Sequence, residues 1–181
     1  AEYVPETLTK VVININSVIP TNGFYGLSQL TYLDLSKCTS IDYNALVGCD
    51  NLEYLGISTI PVSYERSPLG FLFGAENFGS NAQYVPKTLK TLRVDNVDRI
   101  MQNLTHGLVL EEIYIGSNVG GIYDTFTDGT TKCHITNAYY ESTFEDWLTL
   151  FIRGNNGNPA FVSDNFYFLS EEGEYYLPEV M

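Results

Sequence analysis

Positive charge is what this sequence has least of: nine Lys and Arg stand against 22 Asp and Glu, a net charge of −13. Such a surface repels phosphate, which argues against a nucleic-acid partner and against anionic membrane surfaces. Histidine is scarce too, with only His106 and His134. Neither has a Cys or a carboxylate at metal-ligand spacing, so no metal or catalytic role is expected of either. Cysteine is limited to Cys38, Cys49 and Cys133, an odd number. All three fall at repeat positions read below as buried, so they read as small core residues rather than as a disulfide framework or metal site. No uninterrupted apolar run approaches the roughly 18 residues of a membrane-spanning helix, so no membrane insertion is expected within this chain. Ala1-Glu2-Tyr3-Val4-Pro5 shows neither the basic start nor the apolar stretch of a signal peptide. Gly-x-Ser-x-Gly, phosphate-loop and dinucleotide motifs are missing, and no cofactor is expected. Paired carboxylates could serve glycoside hydrolysis only inside a cleft.

What is present is a repeat, which decides more than any local signal. The pattern apolar-x-x-apolar-x-apolar occurs at Leu8, Val11, Ile13; at Leu30, Leu33, Leu35; at Leu52, Leu55, Ile57; at Leu89, Leu92, Val94; and at Leu110, Ile113, Ile115. A weak sixth copy is Thr130, Cys133, Ile135. Successive starts are 22, 22, 37, 21 and 20 residues apart, and the long interval implies an insertion at about 61–83. Three residues past the strand stand Asn16, Cys38, Val97 and Asn118, where the chain is expected to turn away. A further apolar position follows at Ile19, Ile41 and Ile100, slipping by one to Ile122.

The spacing predicts a solenoid. Each strand alternates its side chains, so Leu33 and Leu35 point inward while Tyr32 and Asp34 point out. One unit cannot bury both its apolar edges, and stacked units bury them against each other. Tyr3-Val4-Pro5-Glu6-Thr7-Leu8 also matches Tyr84-Val85-Pro86-Lys87-Thr88-Leu89 at an offset of 81 residues, which predicts a chain beginning partway through a larger array.

The units Ile41-Asp42-Tyr43-Asn44-Ala45-Leu46-Val47-Gly48-Cys49-Asp50-Asn51-Leu52 and Phe24-Tyr25-Gly26-Leu27-Ser28-Gln29-Leu30 resemble the BspA-type leucine-rich repeat. Ala45 with Gly48-Cys49 fits that unit closely, and Phe24 with Gly26-Leu27 loosely. Pro68-Leu69-Gly70-Phe71-Leu72-Phe73-Gly74 is similar to a cassette found in such arrays before a Tyr-Val-Pro segment, and Phe144-Glu145-Asp146-Trp147 is similar to a segment near their ends. The resemblance implies an α/β leucine-rich-repeat solenoid, a right-handed coil with a parallel concave sheet. It also implies a bacterial cell-surface or secreted location and adhesin-like binding of a host or matrix protein. It carries no catalytic motif.

Residues 1–140 are thus read as the solenoid and 141–181 as a C-terminal capping segment, a helix plus a hairpin. Phe144, Trp147, Leu148 and Phe151 have helical spacing, with Ser142 and Glu145 as a capping box. Phe166–Leu169 and Glu174–Leu177 read as the hairpin. The segment 141–181 carries eight acidic residues and one basic. This reads as a solubilising end; a calcium or cationic-partner site is the alternative, without EF-hand spacing to support it.

The outward strand positions are the informative surface. One column is expected to run Lys10, Tyr32, Tyr54, Thr91, Glu112, Lys132, and the next Val12, Asp34, Gly56, Arg93, Tyr114, His134. Tyr32, Asp34, Tyr54, Arg93, Glu112 and Tyr114 are the candidate binding residues, since Tyr and Arg concentrate at interface hot spots. Tyrosine also simply favours half-buried strands. The function expected is non-enzymatic protein binding; the alternative is a carbohydrate-binding module for a surface glycan, with the 14 tyrosines stacking on sugars.

Overall fold

A computed structural model describes residues 5, 7–60, 69–76, 81–100, 104–123, 133–153 and 162–178. The strands are β1 (Lys10–Val12), β2 (Val18–Ile19), β3 (Tyr32–Asp34), β4 (Ser40–Ile41), β5 (Tyr54–Ile57), β6 (Thr91–Val94), β7 (Val109–Ile115), β8 (Gly121–Tyr123), β9 (His134–Tyr140), β10 (Phe151–Arg153), β11 (Ser163–Leu169) and β12 (Tyr175–Tyr176). The main sheet runs β1-β3-β5-β6-β7-β9-β11-β12. Every neighbouring pair in it is parallel except β11 with β12. On the return side β2 pairs with β4 and β8 with β10, also parallel, and Val97 and Ile100 bridge to Val119 and Ile122. The fold is a parallel β-solenoid with repeats of about 25 residues.

The core follows from the alternation. Leu33, Leu55, Leu92, Ile113 and Ala138 lie in register and are fully buried. Leu35, Ile57, Val94, Ile115 and Tyr140 form a second inward column, and Leu30, Leu52, Leu89, Leu110 and Ile135 a third. Each buried Leu, Ile or Val side chain contributes roughly 1.5–3 kcal/mol against the entropy cost of ordering the chain.

The sixth coil corrects the expected register. Ile135 lies beside Leu110 and Ala138 beside Ile113, so the inward triplet is Ile135, Ala138, Tyr140 and not Thr130, Cys133, Ile135. Thr130 itself, with Lys132, lies outside the described residues. A further strand, β11, then extends the same sheet, placing Phe166 beside Ala138 and Phe168 beside Tyr140. The aliphatic columns become aromatic here. Trp147 packs edge-on against Tyr140 at 5.2 Å and Phe166 at 4.7 Å, closing the core with rings.

Among the described residues helix is scarce, so the parallel solenoid is present while the expected α/β coil is not confirmed. The described residues hold α1 (Asn81–Tyr84), α2 (Phe144–Thr149) and a 3-10 helix at Leu69–Phe73. The return path instead uses turns that stack coil on coil. The Phe24 and Gly26 N–H groups donate to the Ala45 and Val47 carbonyls, and the Asn44 and Leu46 N–H groups donate to the Phe71 and Leu72 carbonyls. Such turns need left-handed backbone at Asn22 (φ 60°), Asn44 (φ 61°), Gly26 (φ 76°) and Gly48 (φ 83°), which a continuous helix does not contain. A Cβ on Gly48 would also stand 3.0 Å from the Gly26 Cα. Within the insertion all five residues of the 3-10 helix are buried.

α2 is shorter than the spacing predicts. Its N-cap is Thr143, whose hydroxyl accepts from the Asp146 N–H at 3.2 Å, while Ser142 donates to the Asp146 carboxylate. Leu148 is exposed, and Phe151 has left the helix for β10. The expected hairpin is present as β11 and β12. Asn16 and Asn118 are exposed, and Val119 takes the buried place beside Val97.

Candidate functional site on the outer sheet face

All six candidate residues lie on the outer face of the main sheet. Register extends the first column to Lys10, Tyr32, Tyr54, Thr91, Glu112, Asn137, Asn165. The second becomes Val12, Asp34, Gly56, Arg93, Tyr114, Tyr139, Tyr167. His134 does not follow Tyr114; it sits opposite Val109, with Nε2 3.7 Å from Asp164.

Because identical positions repeat at one strand spacing, the tyrosines stack. Tyr32 and Tyr54 lie 4.1 Å apart and 5° from parallel. Tyr114, Tyr139 and Tyr167 form a second stack at 4.6 and 5.0 Å, with Tyr175 of β12 edge-on to Tyr139 at 4.9 Å. Each such pair is worth about 0.5–1.5 kcal/mol beyond buried area. Lys10 covers one end of the first stack, its Nζ 4.1 Å from the Tyr32 ring centroid. In the first column Asn165 donates to Asn137 at 3.0 Å.

Between the two stacks lies a pocket of about 190 Å³, lined by Tyr54, Thr91, Arg93, Glu112, Tyr114 and Glu141. It gathers four of the six expected residues; Tyr32 lies behind Tyr54, and Asp34 lies flat above Gly56, accepting the Ser36 N–H at 3.0 Å. Two larger hollows, of about 270 and 380 Å³, lie elsewhere and hold one charged side chain each, Lys87 and Asp146. The outer-face pocket has three, Arg93, Glu112 and Glu141.

Its electrostatics centre on Arg93. The guanidinium bonds to Glu141 and lies 3.4 Å from Asp95 Oδ2. Burial opposes its charge, but Glu141, Tyr54 and Asp95 outweigh burial and raise its pKa. Asp95, with a 2% exposed side chain, also receives Lys37 at 2.8 Å, the Asn96 N–H at 2.8 Å and Asn118 Nδ2 at 3.2 Å. Burial alone would lift the Asp95 carboxyl; Lys37, the Asn96 N–H and Asn118 prevail, and it sits below the usual range. For Glu141 burial prevails over Arg93 and holds the carboxyl above its usual value. Glu112 accepts longer bonds, 3.3 Å from Thr91 and 3.4 Å from Tyr114. Burial first, then neighbouring carboxylates, pushes the Tyr54 and Tyr114 phenols up and that of Tyr175 to about 12, so all three stay neutral hydrogen-bonding groups at physiological pH.

Sequence reasoning missed Tyr139, Tyr167, Tyr175 and Glu141. The Tyr139-Tyr140 pair in a copy of the strand pattern at Ile135, Ala138, Tyr140 is the signal that could have found the first. Among the described residues, no group of three or more His, Cys, Asp or Glu is placed to hold a metal, and no helix is long and apolar enough to cross a membrane.

Compared with protein-family models, with curated proteins and with solved structures, the chain matches none.

Proposed function

We propose that the chain is a non-enzymatic, adhesin-like protein-binding module of a bacterial cell-surface or secreted protein, a solenoid of the BspA-type leucine-rich-repeat class, and that the outer sheet face is its docking surface. Support for the class is the inward placement of Leu30, Leu33, Leu35 and of Leu52, Leu55, Ile57, all within 1% of full burial. The observation that carries the docking reading is the state of the tyrosines. Their ring faces are used on one another at 4.1 to 5.0 Å. A sugar platform needs a broad open aromatic surface; stacked rings offer mainly edges and hydroxyls, and the far face of Tyr54 opens only into a pocket of about 190 Å³. Those edges are pre-ordered, so a protein partner meets large amphipathic groups whose ordering entropy is already spent.

The test is a binding panel of immobilised matrix proteins beside a glycan array. Saturable binding to a protein, weakened about tenfold or more by Tyr114→Ala or Tyr139→Ala in folded variants, is the expected result. Glycan binding with no protein bound, or a bound protein indifferent to both variants, overturns the reading.

A further inference from the structure

The Tyr32–Tyr54 stack has two ends, and the chain itself shows what one of them does. At Tyr32 a cation seals the ring face: Lys10 Nζ sits 4.1 Å from the centroid. The other end is the far face of Tyr54. The next residue in that column is Thr91, too short to cover a ring, and the gap it leaves is the pocket.

Charge in the pocket is uneven. Lys37, Arg93, Asp95 and Glu141 form a closed set of two cations and two anions, joined by Lys37–Asp95, Arg93–Asp95 and Arg93–Glu141. Glu112 stands outside that set. Its two partners are neutral hydroxyls at 3.3 and 3.4 Å, long for bonds between a hydroxyl and a carboxylate. Among the described residues Glu112 thus has no cation partner, and it borders the Tyr54 ring in the same pocket.

From this we infer that the pocket takes a single basic side chain, a lysine or arginine of the protein partner, with its charged head at Glu112 and its stem or guanidinium plane against Tyr54. The inference rests on the docking function proposed above and names the chemistry of its central contact. An ammonium or guanidinium over a tyrosine face gains both from the ring and from the carboxylate. The volume agrees: about 190 Å³ lies below the roughly 300 Å³ at which pockets begin to hold drug-sized ligands, and suits one side-chain head. The net charge of −13 draws basic partners to the surface at long range.

The test uses the whole chain with its tyrosine rings isotope-labelled, titrated by NMR with L-arginine amide and L-lysine amide. Norleucine amide is the singly charged control without a side-chain cation, and methyl β-D-glucoside the sugar control. Saturable shifts at Tyr54 and Tyr114 from the arginine or lysine amide, weakened about tenfold by Glu112→Gln and unchanged by Glu111→Gln, are expected. Thr91→Tyr should continue the stack over Tyr54 and abolish the shifts while the chain stays folded. Equal shifts from norleucine amide or from the glucoside, or full binding in folded Glu112→Gln, overturn the inference. A partner that needs Tyr139 but ignores Glu112→Gln and Thr91→Tyr would sink this contact and leave the docking face standing. A partner indifferent to all of them would sink both.

Discussion

The Lys37 Nζ lies 2.8 Å from the Asp95 Oδ2 although the two residues belong to coils that are not neighbours: the β5 coil runs between them. Ser58, at the corresponding place in that intervening coil, is small enough to let the bridge pass. Asp95 and Glu141, joined through Arg93, should then give opposite pH signatures. The lowered Asp95 pKa means the unfolded chain binds more protons than the native one near the ordinary carboxyl value, so its contribution is present above about pH 4 and is lost as pH falls through the native value. Asp95→Asn should cost about 2 kcal/mol at pH 7, and the gap to wild type should narrow by pH 3. The raised Glu141 pKa acts the other way: the advantage of wild type over Glu141→Gln should shrink as pH rises through the ordinary carboxyl value of about 4.3 and on through the higher native one. Urea denaturation of the three proteins at pH 3, 5 and 7 measures both slopes.

Gly116 follows β7 directly beneath Asp95, and a Cβ there would stand 2.3 Å from the Asp95 carboxyl carbon. That carboxyl is held by four partners and cannot swing away, so Gly116→Ala should cost about 1–3 kcal/mol. Asp95→Ser, which restores the residue seen at Ser36 and Ser58, should make room. In the double variant Gly116→Ala should become nearly neutral, a coupling of more than about 0.5 kcal/mol in a double-mutant cycle by thermal melts.

Cys38, Cys49 and Cys133 are free and buried. Burial raises all three thiols, Cys49 and Cys133 to about 11. Since the thiolate is the reactive form, none should be labelled by a disulfide reagent at pH 8 in the native protein, and all three should react at once in guanidinium. Rapid native labelling of any one would mean that its coil opens locally.

Phe168 is 2% exposed and meets Trp147, Tyr140, Phe144 and Phe166 in the ring cluster. Phe168→Ala should cost about 3–5 kcal/mol. Because β11 shares a ladder with β9, the loss should shift a single denaturation transition. A separate early transition, with the main one unmoved, would instead mark 141–181 as an appended cap.

The readable parts of the chain were those where one residue type did one job. Leu30, Leu33, Leu35 and their equivalents through Ile115 are aliphatic, spaced by the strand, and buried as expected. The sixth register was missed because its inward residues are Ala138 and Tyr140, a small residue and one with a hydroxyl, while the aliphatic-looking Cys133-x-Ile135 lay nearby. The long helix was over-read because Leu148 and Phe151 supplied helical spacing while being 68% and 56% exposed; apolar residues on the surface mimic a core face. Period-two alternation placed Tyr54, Arg93, Glu112 and Tyr114 on one face. It could not place Glu141, which reaches Arg93 from beyond the end of β9.

The reversal of direction at β12 has a consequence for how such coils meet other chains. A sheet of parallel rungs invites end-to-end polymerisation, since any exposed rung is a template for the next. Here the last described rung runs the opposite way, pairs only with Phe168 and Leu169 of β11, and is flanked by Glu171, Glu172 and Glu174. Over those two residues an incoming strand would meet negative charge, which disfavours strand addition at that stretch of the edge.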